Sequence, residues 1–151
     1  MKTFNTILID DERLAREEMR SLLKDHLSIE IIDEAKNGEE GIVKILEHKP
    51  DLIFLDVNMP EMTGFEMLKQ LDEIPHVIFV TAYDEFALQA FEVNALDYIL
   101  KPVDPERLTE AIQKVHAKEI ADNDEIETKH QTVGNRILSI KDHVFIKDGE
   151  K

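Results

Sequence analysis

Leu52-Ile53-Phe54-Leu55-Asp56-Val57-Asn58 sets four apolar residues in a row, then a carboxylate, then an amide two positions on. A strand with one wet face would alternate apolar and polar residues. A short unbroken run instead marks a strand covered on both faces, the condition of a parallel sheet. The same pattern recurs outward from this stretch. It appears at residues 6–10 (Ile7-Leu8-Ile9), 30–34, 77–81 (Val77-Ile78-Phe79-Val80) and 98–101, which with 51–56 predicts five strands.

The intervening segments carry helical spacing. Ala15, Met19, Leu22 and Leu23 share one face over 13–26, as do Ile42, Ile45 and Leu46 over 39–48, and Leu108, Ala111, Ile112 and Val115 over 105–118. Asn37 stands three residues before Glu40, a capping pattern, and Asp104-Pro105 puts a capping carboxylate before a proline at the first helical position. Alternating strand and helix implies right-handed crossovers and an open, doubly wound α/β sheet. The expected fold is flavodoxin-like: five parallel strands in the order 2-1-3-4-5, with helices on both faces.

The chain has 151 residues, 42% of them hydrophobic, which is enough for one domain with a core and a little chain left over. No apolar run reaches the roughly 18 residues of a membrane span, and the N-terminus lacks the features of a secretory signal. There is no cysteine, which removes disulfides and thiolate chemistry and fits a reducing cytoplasm. The net charge is −15; residues 1–116 carry 25 acidic and 12 basic side chains, and 117–151 carry 8 and 6. The acidity therefore belongs to the main domain, which should repel nucleic acid.

From about residue 117 to 135 the sequence turns polar, as a helix end followed by a linker. Residues 136–140 and 144–147 then read as two strands, with Asp148-Gly149 as a hairpin turn. The expected organisation is a main domain at 1–118, a linker at 119–135, and the start of a truncated second domain at 136–151.

Ligands of such sheets bind beyond the carboxyl ends of the strands, at the switch point between strands 1 and 3. Strand 1 runs into Asp10-Asp11, strand 3 into Asp56 with Asn58 following, strand 4 into Thr81 and strand 5 into Lys101. A lone Asp at a strand end is commonly a turn or helix cap, and Thr81, Tyr98 or Lys101 alone would be ordinary core or surface residues. The weight lies in their convergence. Two unit charges about 4 Å apart repel by on the order of 4 kcal/mol at an effective dielectric of ~20. A hard divalent cation relieves such a cluster, and an all-oxygen donor set favours Mg2+. With Lys101 added, the set suits phosphoryl transfer to a carboxylate. The six histidines show no clustered spacing and read as surface or linker residues.

Four blocks, in order, resemble the receiver domain of two-component response regulators. They are Ile7-Leu8-Ile9-Asp10-Asp11-Glu12; Leu55-Asp56-Val57-Asn58-Met59-Pro60 with Gly64; Val80-Thr81-Ala82; and Tyr98-Ile99-Leu100-Lys101-Pro102. Arg13-Leu14-Ala15-Arg16 and Ala90-Phe91-Glu92-Val93-Asn94-Ala95-Leu96-Asp97-Tyr98 resemble the LytR/AlgR subfamily, and residues 136–151 resemble the start of its LytTR DNA-binding domain. The resemblance implies Asp56 as phosphoacceptor, and Asp10, Asp11, Asp56 and the Asn58 backbone carbonyl as Mg2+ ligands. It also implies Lys101 as the phosphate-binding lysine with a cis bond to Pro102, and Thr81 and Tyr98 as switch residues.

The expected function is a cytoplasmic, non-enzymatic switch that takes a phosphoryl group from a sensor histidine kinase. It would then homodimerise through helix 4 (residues 85–94), strand 5 and helix 5. Helix 4 carries Phe86, Leu88, Phe91 and Val93, too many for one narrow core stripe. DNA would be bound only through the missing C-terminal part, for transcription regulation. One rival is a phosphatase of the haloacid dehalogenase type, which would show multiple turnover of a phosphomonoester. Another is a pseudo-receiver acting as a binding module, against which the complete acidic set argues. A flavin binder is disfavoured because Asp10-Asp11-Glu12 would repel its phosphate.

Overall fold

In the computed structural model residues 2–131 are described, with side chains through Asp122. The element order is β1 (Phe4–Ile9), α1 (Arg13–Leu23), β2 (Ile29–Ala35), α2 (Gly38–His48), β3 (Leu52–Leu55), α3 (Gly64–Lys69), β4 (His76–Thr81), α4 (Ala87–Glu92), β5 (Asp97–Leu100) and α5 (Pro105–Gln131). The strands form one sheet in the order β2-β1-β3-β4-β5 with every pairing parallel, as the sequence predicts.

The unbroken apolar runs are explained by burial on both sides. Ile7, Ile9, Ile53, Leu55, Val77 and Phe79 enter one core cluster, joined by Ile45 of α2 and Phe65, Met67 and Leu68 of α3. The alternate residues Leu8, Phe54 and Ile78 point to the opposite face and are at most 3% exposed. Burying such a side chain contributes roughly 1.5–3 kcal/mol, so the three central strands hold the sheet. Met19 and Leu23 of α1 and Leu108, Ala111 and Ile112 of α5 are buried as their spacing requires. Leu46, placed with Ile42 and Ile45 by the same spacing, is instead 63% exposed, because the buried stripe of α2 is narrower than the apolar one.

The Asn37 side chain accepts from Glu40 N–H at 2.8 Å, capping α2. Asp104 accepts from Arg107 N–H at 3.3 Å, ahead of Pro105 at the start of α5. Thr63 and Glu66 form a reciprocal capping box that starts α3.

Several boundaries differ from the sequence reading. α1 stops at Leu23, short of residue 26, and His26 N–H turns back to the Leu23 carbonyl at 3.0 Å. α4 is shorter than the predicted 85–94: no side chain caps its start, and Asn94, at φ 64°, closes the turn that follows it. α5 continues to Gln131 instead of ending near 118; no glycine or proline occurs from 106 to 133, and a polar stretch does not by itself break a helix. The strands predicted at 136–140 and 144–147 and the turn at Asp148-Gly149 lie outside the described residues. Every candidate site residue lies in the compact unit Met1–Lys114.

Candidate functional site

The sheet hydrogen bonding runs past the strand ends and carries the site residues with it. Asp10 N–H donates to the Ala35 carbonyl at 3.1 Å, Asp56 N–H to Ile9 at 3.0 Å, and Lys101 N–H to Thr81 at 2.8 Å. Asp10 and Asp56 thus sit one residue beyond β1 and β3, side by side at the carboxyl edge. Gly64 lies against Asp56: a Cβ there would come within 2.5 Å of the Asp56 carbonyl oxygen, so only glycine fits.

Asp10, Asp11 and Asp56 each offer an oxygen within 4.8 Å of the others. Asp10 and Asp56 are buried and Asp11 is exposed. Lys101 Nζ donates to Asp10 Oδ2 at 2.8 Å and to Asp56 Oδ2 at 3.4 Å, with Glu12 Oε1 at 3.6 Å. Burial, then the charge of Asp10, pushes the Asp56 carboxyl above its ordinary range, against the opposing pull of Lys101. Asp11 is raised by the same two causes. Burial works to lower the Lys101 ammonium, but its hydrogen bond to Asp10 and the charges of Asp10 and Asp56 outweigh it, and its pKa is raised. Three ionised carboxylates against one ammonium leave two negative charges. An all-oxygen set with that imbalance fits a hard divalent cation.

The other candidates surround this centre. Thr81 is fully buried, and its hydroxyl finds no hydrogen-bond partner of normal geometry. It is nevertheless close enough to Asp56 to lower that carboxyl, a near neighbour whose bond is not made. Asn58 is exposed in the β3–α3 loop, two residues beyond Asp56. Tyr98 is not part of the carboxylate cluster: it is half-buried, its ring 6.3 Å from that of Phe79, and its hydroxyl donates to the Tyr83 carbonyl. The Lys101-Pro102 bond is cis, as expected.

Residues 6–113 match the family described as "Response regulator receiver domain". The chain belongs to the response regulator receiver family. An uncharacterised response regulatory protein of Vibrio cholerae is 54% identical over 113 residues, covering 74% of this chain and 48% of that protein. "Sensory transduction protein LytT" of Bacillus cereus is 42% identical over 134 residues, covering 87% and 53%. The receiver spans about half the length of these relatives. Among solved structures, the REC domain of AraT, a response regulator from Geobacillus stearothermophilus, aligns with a TM-score of 0.72 and 35% identity, covering 80% of this chain and 98% of that one. The receiver is a signalling domain, and no helix among its described residues is long and apolar enough to cross a membrane.

Two contacts of the receiver's site escaped the sequence reading. Glu12 approaches Lys101, and Arg16 donates through Nη1 to the Asp10 carbonyl at 2.7 Å. Arg16 stood in a stretch singled out for its resemblance, but nothing in helical spacing says that its side chain turns back toward the strand end.

Proposed function

We propose that this receiver accepts a phosphoryl group on Asp56 from the phosphohistidine of a sensor histidine kinase. The observation that carries the reading is the three-carboxylate cluster at the sheet edge with Lys101 bonded to two of its members. Asp10, Asp11 and Asp56, with the Asn58 backbone carbonyl, would hold Mg2+, which when bound supplies neutralisation and orientation of the phosphoryl oxygens. An Asp56 carboxylate oxygen attacks phosphorus, the phosphorus–nitrogen bond breaks, and the imidazole leaves with the electron pair. Lys101, already 3.4 Å from Asp56 Oδ2, binds an oxygen of the group transferred. Thr81, whose hydroxyl is buried without a partner, turns to the new acceptor. Tyr98 responds by leaving the Tyr83 carbonyl, which biases the face of α4, β5 and α5.

That face is proposed as the homodimer surface. Of the four apolar residues predicted to crowd α4, Phe86 and Val93 pack against the core, while Leu88 and Phe91 are 71% and 79% exposed. Leu100 of β5 is also exposed. The LytT relative supports a LytTR-type output. On this reading the receiver occupies 1–118, a linker 119–135, and a DNA-binding domain begins at 136–151.

Intact-mass measurement after incubation with a small acyl phosphate and Mg2+ tests the reading. One phosphoryl group per chain is expected, and none on Asp56→Asn; an undiminished signal in that variant refutes the acceptor assignment. Sedimentation with and without beryllofluoride tests the dimer, and an unchanged mass removes it.

A further inference from the structure

We infer that Arg16 is a positioning residue for the cation site, acting through the peptide unit between Asp10 and Asp11. This rests on the metal reading above and adds a residue to it. Nothing caps α1 from its own N-cap: Glu12 makes no side-chain cap hydrogen bond. The turn from β1 to α1, which holds two of the three carboxylates, is tied down from elsewhere. Arg16 reaches back from the first turn of α1, and its Nη1 donates to the Asp10 carbonyl oxygen at 2.7 Å. Its Nε donates to Glu34 Oε1 of β2 at 3.0 Å, and Arg20 Nε engages the other oxygen, Glu34 Oε2, at 2.8 Å.

Every polar group of Asp10 is thereby fixed. Its N–H binds Ala35, its carbonyl Arg16, its Oδ1 the Glu12 N–H at 2.9 Å, and its Oδ2 Lys101. Asp11 is exposed, and the peptide plane that Arg16 anchors immediately precedes its Cα. Releasing that plane lets Asp11 swing out of the cluster. The charge of Arg16 is met by Glu34, so its effect is geometric. Lysine, a point donor without the fork, cannot serve both the carbonyl and Glu34 in the same way.

The test measures Mg2+ dissociation constants for wild type, Arg16→Met, Arg16→Lys and Arg20→Met, with amide hydrogen exchange of Glu12 in metal-free protein. Loss of a partner that orients a ligand weakens metal binding by about tenfold. That loss is expected for both Arg16 variants, together with a comparable loss of Glu12 protection. Arg20→Met, which removes the contact to the other oxygen of Glu34 and leaves the Arg16 bond to the Asp10 carbonyl in place, should stay within about twofold of wild type. Arg16→Met binding Mg2+ as tightly as wild type, or Arg20→Met weakening it equally, overturns the inference. If wild type itself ignores Mg2+, the metal reading fails; Glu12 protection then still decides whether Arg16 holds the turn.

Discussion

Asp56 and Asp97 are almost equally buried, with side chains 8% and 6% exposed, yet their carboxyls are shifted in opposite directions. Burial is the largest influence on both and raises both. Asp97 escapes it. Arg107 grips it through Nη1 at 2.8 Å and Nη2 at 2.5 Å, the Tyr98 N–H donates at 2.8 Å, and Lys114 lies 3.1 Å away. These partners hold the Asp97 carboxyl below its usual value. Asp56 has the charge of Asp10 beside it and one long contact to Lys101. Burial alone does not set the direction of the shift; the balance of charge around the carboxyl does. Asp97 finds its balancing charge in Arg107 and Lys114, whereas Asp56 has only Lys101 against Asp10 and Asp11, which is why the proposed function gives it a further cation.

The contrast is most sharply tested by magnesium. At a free concentration about a hundredfold above its Kd, Mg2+ should stabilise the protein by about 2.7 kcal/mol. Chemical denaturation with and without the ion should show that gain in wild type and in Asp97→Asn, and lose it in Asp56→Asn. Equal gains in all three would erase the distinction.

Next in size, Asp97→Asn should destabilise the metal-free protein by about 2 kcal/mol. Removing one member of a buried ion pair usually costs more, but Arg107 and Lys114 are 33% and 54% exposed and water can compensate them. Asp56→Asn should do the opposite and stabilise the metal-free protein by on the order of 1 kcal/mol, since a repelled charge is removed. A loss of stability in that variant would contradict the account of the cluster.

The pH dependence sharpens the same comparison. Asp97 is held below its ordinary value of 3.8, so its contribution is present above pH 3.8 and is lost as pH falls through the folded value. Asp56 is held above 3.8: the fold binds that proton more tightly than the open chain does. Its penalty is absent below pH 3.8 and grows as pH rises through the raised value. In metal-free denaturation curves the advantage of Asp56→Asn should therefore widen with rising pH, and the deficit of Asp97→Asn should shrink in acid.

The smallest effect concerns Thr81. Its buried hydroxyl has no partner, so Thr81→Val should change the stability of the unphosphorylated protein by less than about 0.5 kcal/mol. A larger loss would reveal a bond to Asp56 already made.

Much of this architecture was legible because the central strands are buried on both faces, which leaves no alternation and makes Ile7-Leu8-Ile9 and Leu52-Ile53-Phe54-Leu55 stand out. The carboxylates were legible because they directly follow those runs. Other features were not. α3 was signalled by Thr63 and Glu66, a capping pair readable in principle but hidden in a segment of six residues. The run of α5 past residue 118 was masked by polarity, although helix formers continue through it. Arg16, Glu34 and the Asp97–Arg107 pair depend on long side chains meeting across elements, which neither periodicity nor spacing encodes.

A magnesium titration followed through individual backbone amide resonances tests the central claim most directly. The account predicts saturable shifts concentrated at Asp11, Asp56 and Asn58, weakened at least about tenfold by Asp11→Asn. Shifts scattered over the acidic surface and indifferent to that substitution would contradict it.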